Sequence, residues 1–402
     1  MARPSASSGE AGKAGWREAL DARTALMAAV LLLLWGAFHA FTGGLFLTPE
    51  NLYNLFQQTA VVGIMATVFV LVIVARHIDL SVGSAIGFVG VLIAFLIYTR
   101  QWSWPAAVAA GLVLALAIAV YQGALAAWLG VPSFVVTLGG LMSFRGAAFL
   151  VADGKTQPIS DPVLLALGGG YGGAIGPLWS WLLGAAVCLA LVSGLVWQRR
   201  YRARFGAPPR PPAADALRVL LPCVLVLGFV ATMNGYQIPG KDTPQGVPIP
   251  VLIWAVVAAA LSFIVRRTRF GRYVFALGGN PEAAELVGIP VRRVTLQLYA
   301  LLGALVCVAA VVSIARLNAG TKSLGTGMEL YEIAAAVIGG TALAGGSGTI
   351  LGSVLGALIM QSLDSGLLLL DVSIGMRMVL IGQVLIVAVV FDALYRRFAG
   401  ER

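Results

Sequence analysis

The sequence predicts an all-α protein, a polytopic bundle of transmembrane helices with ten to twelve spans and both termini in the cytoplasm. Apolar residues make up 59% of the chain and charged residues only 11%, whereas about 25% of the residues in a soluble domain are charged. The apolar residues fall into long runs, and the basic residues cluster between these runs. Helices fit both observations, because lipid requires apolar side chains and a backbone that satisfies its own hydrogen bonds.

The candidate spans follow from length, since a helix needs about 20 mostly apolar residues to cross a bilayer. The segments at 329–345 and 348–363 are short and interrupted by glycine, so the predicted number of spans is a range. The candidates are 24–42, 59–75, 80–98, 105–129, 132–152, 176–197, 217–233, 249–265, 294–316, 329–345, 348–363 and 374–393.

Lysine and arginine predict the orientation of these spans, because cytoplasmic loops carry an excess of basic residues. Most of the 27 basic residues lie at the ends that face the cytoplasm when the N-terminus is inside, and Arg145 lies within a span. Residues 1–23 are then a cytoplasmic tail that lacks the apolar core of a removable signal peptide. Residues 24–395 form the transmembrane domain, with cytoplasmic loops near 198–216 and at 266–293.

A short helix is predicted inside the cytoplasmic loop GRYVFALGGNPEAAELVGIP, because both of its ends carry end signals. Asn280 is a favourable N-cap, Pro281 suits the first helical position, and Gly288 can adopt the left-handed conformation that ends a helix. The small residues Ala283 and Ala284 would let this helix lie close against a partner protein; the alternative is an ordinary turn at the membrane surface. This predicted docking segment comprises Gly279, Asn280, Pro281, Glu282, Ala283, Ala284, Glu285 and Gly288.

Three further motifs place polar residues inside apolar stretches, where ionisable groups are costly and usually functional or paired. In HIDLSVGS, Asp79 is a candidate pathway residue and a candidate N-cap of the next helix, and the two roles are compatible. In PSFVVTLGGLMSFRG, Arg145 either extends to the interface or forms an ion pair, and contact with a substrate is a third interpretation. The predicted pathway residues of these motifs are Asp79, Ser81, Ser84, Ser133, Thr137 and Arg145.

The third of these motifs, MELYEIAAAVIGGTALAGGSG, adds two acidic residues to the predicted pathway. Glu329 and Glu332 are three residues apart and therefore share a helix face. They could pair with Arg316 or Lys322 at the outer mouth, or accept hydroxyl groups of a substrate. The alternative is a solvated helix start.

Several kinds of chemistry are excluded by motifs that the sequence lacks. It contains no GxxxxGK[ST] phosphate-binding loop, no HExxH and no GxSxG. The three cysteines lie in apolar runs without ligand spacing. The sequence therefore predicts no catalytic residue, no metal site and no bound cofactor in this chain. Nucleic-acid binding is excluded as well, because the basic residues flank the spans.

In these four segments the chain resembles the permeases of bacterial carbohydrate ABC importers, the ribose/xylose group of the branched-chain permease superfamily. The resemblance covers about 51–391 and is carried by IDLSVGS, PSFVVTLGGLMSFRG, GRYVFALGGNPEAAELVGI and IGGTALAGGSG. Within this group the chain looks most like the D-xylose permeases, which share a two-span insertion with a basic cytoplasmic loop, here about 176–233. His77 and Glu332 depart from the pattern, since a small or acidic residue and an Asp are expected there.

The resemblance implies a homodimeric pore in the bacterial inner membrane, with D-xylose as the expected monosaccharide. It also implies two partners: a cytoplasmic ABC ATPase that binds ATP and Mg and docks on residues 280–288, and a periplasmic sugar-binding protein. Two alternatives differ in class. An ion-coupled secondary sugar transporter would need titratable groups near the midplane, and a polytopic membrane enzyme would need a catalytic constellation in a loop.

Overall fold

The computed structural model describes residues 22–170, 172–206, 211–237 and 243–398. Across these ranges the chain forms helices and one short two-stranded sheet, which confirms the predicted all-α class. The elements are α1 (Ala22–Phe41), α2 (Pro49–Val74), α3 (Val82–Tyr98), α4 (Trp104–Trp128), α5 (Ser133–Val151), β1 (Gln157–Pro158), α6 (Pro162–Ala166), α7 (Pro177–Arg204), α8 (Pro212–Gly235), α9 (Ile249–Arg267), α10 (Arg269–Gly279), α11 (Pro281–Leu286), α12 (Val291–Leu317), β2 (Ala319–Gly320), α13 (Met328–Ile338), α14 (Ile350–Leu369) and α15 (Ile374–Phe398).

Within the described ranges, nine helices are long and apolar enough to cross a membrane, and two shorter apolar helices accompany them. Together these correspond to every predicted span except 329–345. That segment contains only α13, which has 11 residues and is about 16 Å long at 1.5 Å per residue. A bilayer core is about 30 Å thick, so α13 cannot span it as a continuous helix, and the predicted boundary at 345 is wrong.

The start of α2 also differs from the prediction, by ten residues. The helix begins at Pro49 instead of 59, and Thr48 acts as its N-cap by accepting a hydrogen bond from the Asn51 amide. The stretch NLYNLFQQ hid this start, because its polar residues break the apolar run. These residues are nevertheless satisfied inside the bundle: Gln57 is buried and donates to the Gly169 carbonyl.

The core of the bundle is built around α2. In its most apolar stretch 94% of the residues are buried, against 11% in α5, α7 and α8. Helices α9, α12, α13 and α14 all pack against α2. The exposed leucine and tryptophan side chains of α7 suit a lipid environment, where no hydrophobic penalty attaches to them. The bundle therefore has a central helix and an outer layer, and its polar breaks lie next to the centre.

The predicted two-span segment 176–233 forms a helical hairpin at the side of the bundle. Its two helices, α7 and α8, pack on each other, and Arg199 Nε lies 2.7 Å from Asp215 Oδ2. The ring of Phe229 contacts that of Phe56 in α2 at a centroid distance of 4.8 Å. Part of the basic loop between them, 207–210, lies outside the described residues, as does most of the predicted N-terminal tail. The cytoplasmic placement of both termini stays a prediction.

Candidate functional site

Two breaks in the helical chain meet beside α2. We call residues 75–81, between α2 and α3, the polar loop, and residues 321–327, between β2 and α13, the return loop. Just after the polar loop, at Gly83 in α3, the return loop and the start of α13 come so close that a Cβ would overlap the Gly325 carbonyl oxygen and the Glu329 carboxylate. Only glycine leaves room for this approach. The HIDLSVGS and MELYEIAAAVIGG motifs, far apart in sequence, therefore form one site.

Asp79 is buried at the centre of the polar loop, with 1% of its surface exposed. Its Oδ1 accepts hydrogen bonds from the Ser81 amide at 2.8 Å and the Ser81 hydroxyl at 2.7 Å. Gln122 of α4 donates to the same hydroxyl at 2.8 Å. Ser81 occupies the N-cap position of α3, but its side chain makes no capping hydrogen bond. Asp79, two residues earlier, accepts the Ser81 amide and fixes the turn that leads into the helix, so a capping role for Asp79 stays a prediction.

Two predicted pathway residues at the start of α5 hold the polar loop in shape. The Ser133 hydroxyl accepts a hydrogen bond from the Ile78 amide at 3.2 Å, and the Thr137 hydroxyl accepts one from the Leu80 amide at 3.1 Å. Both amides lie outside regular structure, where no helix or sheet supplies a partner for them. The geometry gives these residues a role in shaping the loop, and their part in a pathway stays a prediction.

Arg145 binds the return loop. Its guanidinium donates to the Leu324 carbonyl at 2.7 Å and to the Lys322 carbonyl at 3.5 Å. Within the described residues it forms no ion pair within 4.0 Å, so the structure does not support the predicted ion pair, and the extension to the interface stays a prediction. The side chain links α5 to the loop that precedes α13.

Glu332 is completely buried, and neither of its oxygens has a hydrogen-bond partner among the described residues. This contradicts the interpretation of a solvated helix start. The same set of unpartnered buried atoms includes Glu329 Oε2, Ser84 Oγ and Thr341 Oγ1, and neither glutamate pairs with Arg316 or Lys322 in this structure. Because an ionised carboxylate without partners is very costly to bury, Glu332 needs a proton, a water molecule or a ligand.

A cavity of about 300 Å³ opens next to this site, at the lower end of the range typical of small-ligand sites. Its polar lining comes from α2, α12, the return loop, α13 and α14, and includes Gln58, Arg316, Thr321, Tyr331, Gln361 and Asp364. Apolar side chains, among them Val61 and Met328, complete its walls.

None of the eight predicted pathway residues lines this cavity. Met328 and Tyr331 face it from α13, whereas Glu329 lies close to Gly83 of α3. Sequence reasoning missed the cavity residues. The available signal was the presence of Gln58, Gln361 and Asp364 inside otherwise apolar helices.

The predicted docking helix is present as α11, and its end signals are confirmed. The Asn280 side chain accepts a hydrogen bond from the Ala283 amide at 3.0 Å, and Gly288 has a φ of 82°. The predicted small face is wrong in part, because Ala284 is buried in the protein's own fold. Ala283 is exposed, and the large exposed apolar residues at the end of this helix are Leu286 and Val287, at 88% and 77% exposure. Helix α10, which leads into α11, was also not predicted.

Comparisons with known proteins cover nearly the whole chain. The family described as "Branched-chain amino acid transport system / permease component" matches residues 51–389. The xylose transport system permease protein XylH of Escherichia coli K12 is 36% identical over 382 residues, 94% of each chain. Its namesake in Haemophilus influenzae is 37% identical over 91% of this chain and 95% of its own. The ribose import permease protein RbsC of E. coli K12 is 32% identical, over 86% and 87%. No solved structure gives a significant match.

Proposed function

The chain belongs to the family of branched-chain amino acid transport system permease components, and from this premise we propose that it forms the membrane pathway of an ATP-driven importer for a monosaccharide. The sugar that we propose is D-xylose. The choice of sugar is supported by the relatives named for xylose, which match over nearly their full length. The chain is a transport subunit without a phosphate-binding loop, and a separate ATPase hydrolyses the ATP.

The structural observation that carries this proposal is the cavity of about 300 Å³ between α2, α12, α13 and α14. Sugar hydroxyl groups need hydrogen-bonding partners, and the apolar faces of a sugar ring pack on apolar side chains. Both are present. Gln58, Gln361 and Asp364 supply amide and carboxylate groups, and Val61 and Met328 supply apolar surface.

The docking segment provides the contact for the ATPase. Leu286 and Val287 form an exposed apolar tip next to a capped helix, and such helices bind in grooves of partner proteins. Movement of this segment would bias the pathway between outward-open and inward-open states, and a loaded sugar-binding protein outside would favour one state by binding it better. The assembly we propose contains two copies of this chain in the bacterial inner membrane, two ATPase subunits and one periplasmic sugar-binding protein.

The buried Glu332 favours one alternative, an ion-coupled sugar transporter, because an unpartnered carboxyl group can carry a proton across a conformational change. The two functions differ in their energy source. A proton-coupled carrier would work without an ATPase and would stop when the proton gradient is collapsed.

Reconstitution of the chain with its ATPase and binding protein in proteoliposomes tests the proposal. We expect uptake of radiolabelled D-xylose that requires ATP, is blocked by vanadate and continues in the presence of a protonophore. An ATPase variant that cannot hydrolyse ATP is the control. Uptake by the chain alone, driven by a proton gradient, would contradict the proposal and establish the ion-coupled alternative.

A further inference from the structure

One side chain connects the end of α2 to the docking segment. Arg76 Nε donates to the Gly278 carbonyl at 2.8 Å, and Arg76 Nη2 donates to the Gly279 carbonyl at 2.8 Å. These two carbonyl groups end α10, immediately before Asn280 caps α11. A guanidinium that donates two hydrogen bonds from one rigid plane fixes the direction as well as the distance of its partner.

The backbone at Arg76 does not favour an arginine. Arg76 has a φ of 64°, in the left-handed region. Its amide donates to the Ile73 carbonyl at 2.9 Å, and the His77 amide donates to the Val72 carbonyl at 3.0 Å. This pair of bonds is the Schellman motif that ends many helices, and its left-handed position normally holds glycine. A long side chain at a strained backbone position is a reason to look for a use of that side chain.

A third segment joins this contact. The Gly346 amide donates to the Val74 carbonyl at 2.9 Å. A Cβ at Gly278 would overlap the same Val74 oxygen, and a Cβ at Gly345 would lie 2.5 Å from Arg76 Cγ. Backbone therefore packs directly on backbone at this point. We call residues 74–76, 278–279 and 345–346 the junction.

Two routes lead from the junction towards the site. Along one, Arg76 is itself part of the polar loop and lies three residues before Asp79. Along the other, Gly346 belongs to the turn that follows α13, and the Thr341 amide of that turn donates to the Ala336 carbonyl of α13 at 3.0 Å. Helix α13 carries Glu332 and presents Tyr331 to the cavity. Displacement of the docking segment thus acts on both sides of the site through short, packed connections.

We propose that Arg76 is a positioning residue that transmits movement of the docking segment to the polar loop and α13, and so sets how much sugar crosses the membrane per ATP hydrolysed. The inference rests on the proposed function, since it needs an ATPase that moves this segment. It assigns Arg76 no contact with the sugar. Its loss should uncouple hydrolysis from uptake without preventing assembly.

The decisive variants are Arg76→Gly and Arg76→Lys, measured in the reconstituted importer with its ATPase and binding protein. Glycine removes both hydrogen bonds but suits the left-handed turn, so we expect the melting temperature of the purified chain to stay equal or rise. Lysine keeps the charge and loses the planar pair of donors. We expect uptake per ATP hydrolysed to fall about tenfold in Arg76→Gly and by a smaller factor in Arg76→Lys, with co-purification of the ATPase unchanged.

Arg200→Ala, which removes an exposed arginine of the α7–α8 hairpin, is the matched control and should leave the ratio of uptake to hydrolysis unchanged. A wild-type ratio in Arg76→Gly would overturn the inference and leave the proposed function intact. Loss of ATPase co-purification would also overturn it, because Arg76 would then serve assembly only. If Arg76→Gly lowers the melting temperature, the test rests on Arg76→Lys. A wild-type ratio of uptake to hydrolysis in Arg76→Lys then overturns the inference. Failure of the wild-type importer to take up sugar with ATP would instead contradict the proposed function.

Discussion

Glu332 shows how far a residue's surroundings can depart from what its neighbours in sequence suggest. The spacing of Glu329 and Glu332 correctly predicted that they share one helical face. The same spacing is found whether that face lies in solvent or is completely buried, so it could not decide between the two. The burial comes from the helices that pack on α13, among them α2 and α3 from the other half of the chain. No local signal in MELYEIAAAVIGG contains that information.

Glu332→Gln tests whether this carboxyl group is neutral. Because the amide has the same shape and no charge, the free energy of unfolding should stay within about 1 kcal/mol of the wild type if Glu332 carries a proton. Thermal unfolding of the purified chain in detergent measures this. A loss of about 3 kcal/mol or more would mean that an ionised carboxylate is held by partners that glutamine cannot keep.

Gly278 and Gly279 form a matched pair for testing the junction. A Cβ at Gly278 would overlap the Val74 carbonyl oxygen, whereas a Cβ at Gly279 would meet nothing within 4 Å. We expect Gly278→Ala to lower the free energy of unfolding by at least about 1 kcal/mol, because the backbone must shift to admit the methyl group. Gly279→Ala should change it by less than about 0.5 kcal/mol. Equal stability of the two variants would contradict the packing described here.

At the scale of the element, α11 was the best predicted part of the site, and the reason is local. Its start and end depend on Asn280, Pro281 and Gly288, which act on backbone groups within a few residues. Its orientation was not predictable, because the buried side of a short helix is decided by the segments on which it packs. The structure turns Ala284 inward and leaves Leu286 and Val287 exposed.

Substitution of the exposed tip tests this orientation. The double variant Leu286→Asp, Val287→Asp should leave the melting temperature of the chain unchanged, since neither side chain packs in the fold. It should weaken ATPase binding by at least about tenfold, because buried apolar anchors supply much of the energy of such contacts. Co-purification with the ATPase measures the effect, and Leu286→Met, which keeps the apolar surface, is the control. Undiminished binding of the double variant would place the ATPase contact elsewhere.

At the scale of the whole molecule, composition and span length were sufficient for the fold class and for most helices, because each transmembrane helix is set by its own apolar length. The cavity was not predictable, because Gln58, Arg316 and Gln361 come together only when α2, α12 and α14 are assembled. Arg76 was hidden for a related reason. A basic residue after a span is already explained by the excess of basic residues on the cytoplasmic side.

Asp364 of α14 contacts side chains of two neighbouring helices beside the cavity. Its Oδ1 lies 3.0 Å from Arg377 Nη1 of α15 and 3.5 Å from the Tyr331 hydroxyl of α13. Asp364→Asn should lower the free energy of unfolding by about 1–3 kcal/mol, because Arg377 is mostly buried and loses its charged partner. Sugar uptake should fall as well. Asp371→Asn, at an exposed position where φ is 56°, is the control, since asparagine tolerates that conformation. Wild-type stability and uptake of Asp364→Asn would contradict this role.

The short length of α13 has a consequence for solvent exchange. The chain from Gly339 to Gly348 starts inside the bundle and becomes half-buried or exposed after Ala342, without a regular ladder of hydrogen bonds. Among the described residues, the partner of the Gly346 amide is the Val74 carbonyl across the junction. Deuterium uptake at Gly346 should therefore be slow at rest and accelerate each time the docking segment is displaced. The central amides of α2 should stay protected throughout, so deuterium exchange at this one glycine amide would report how often the docking segment moves during the transport cycle.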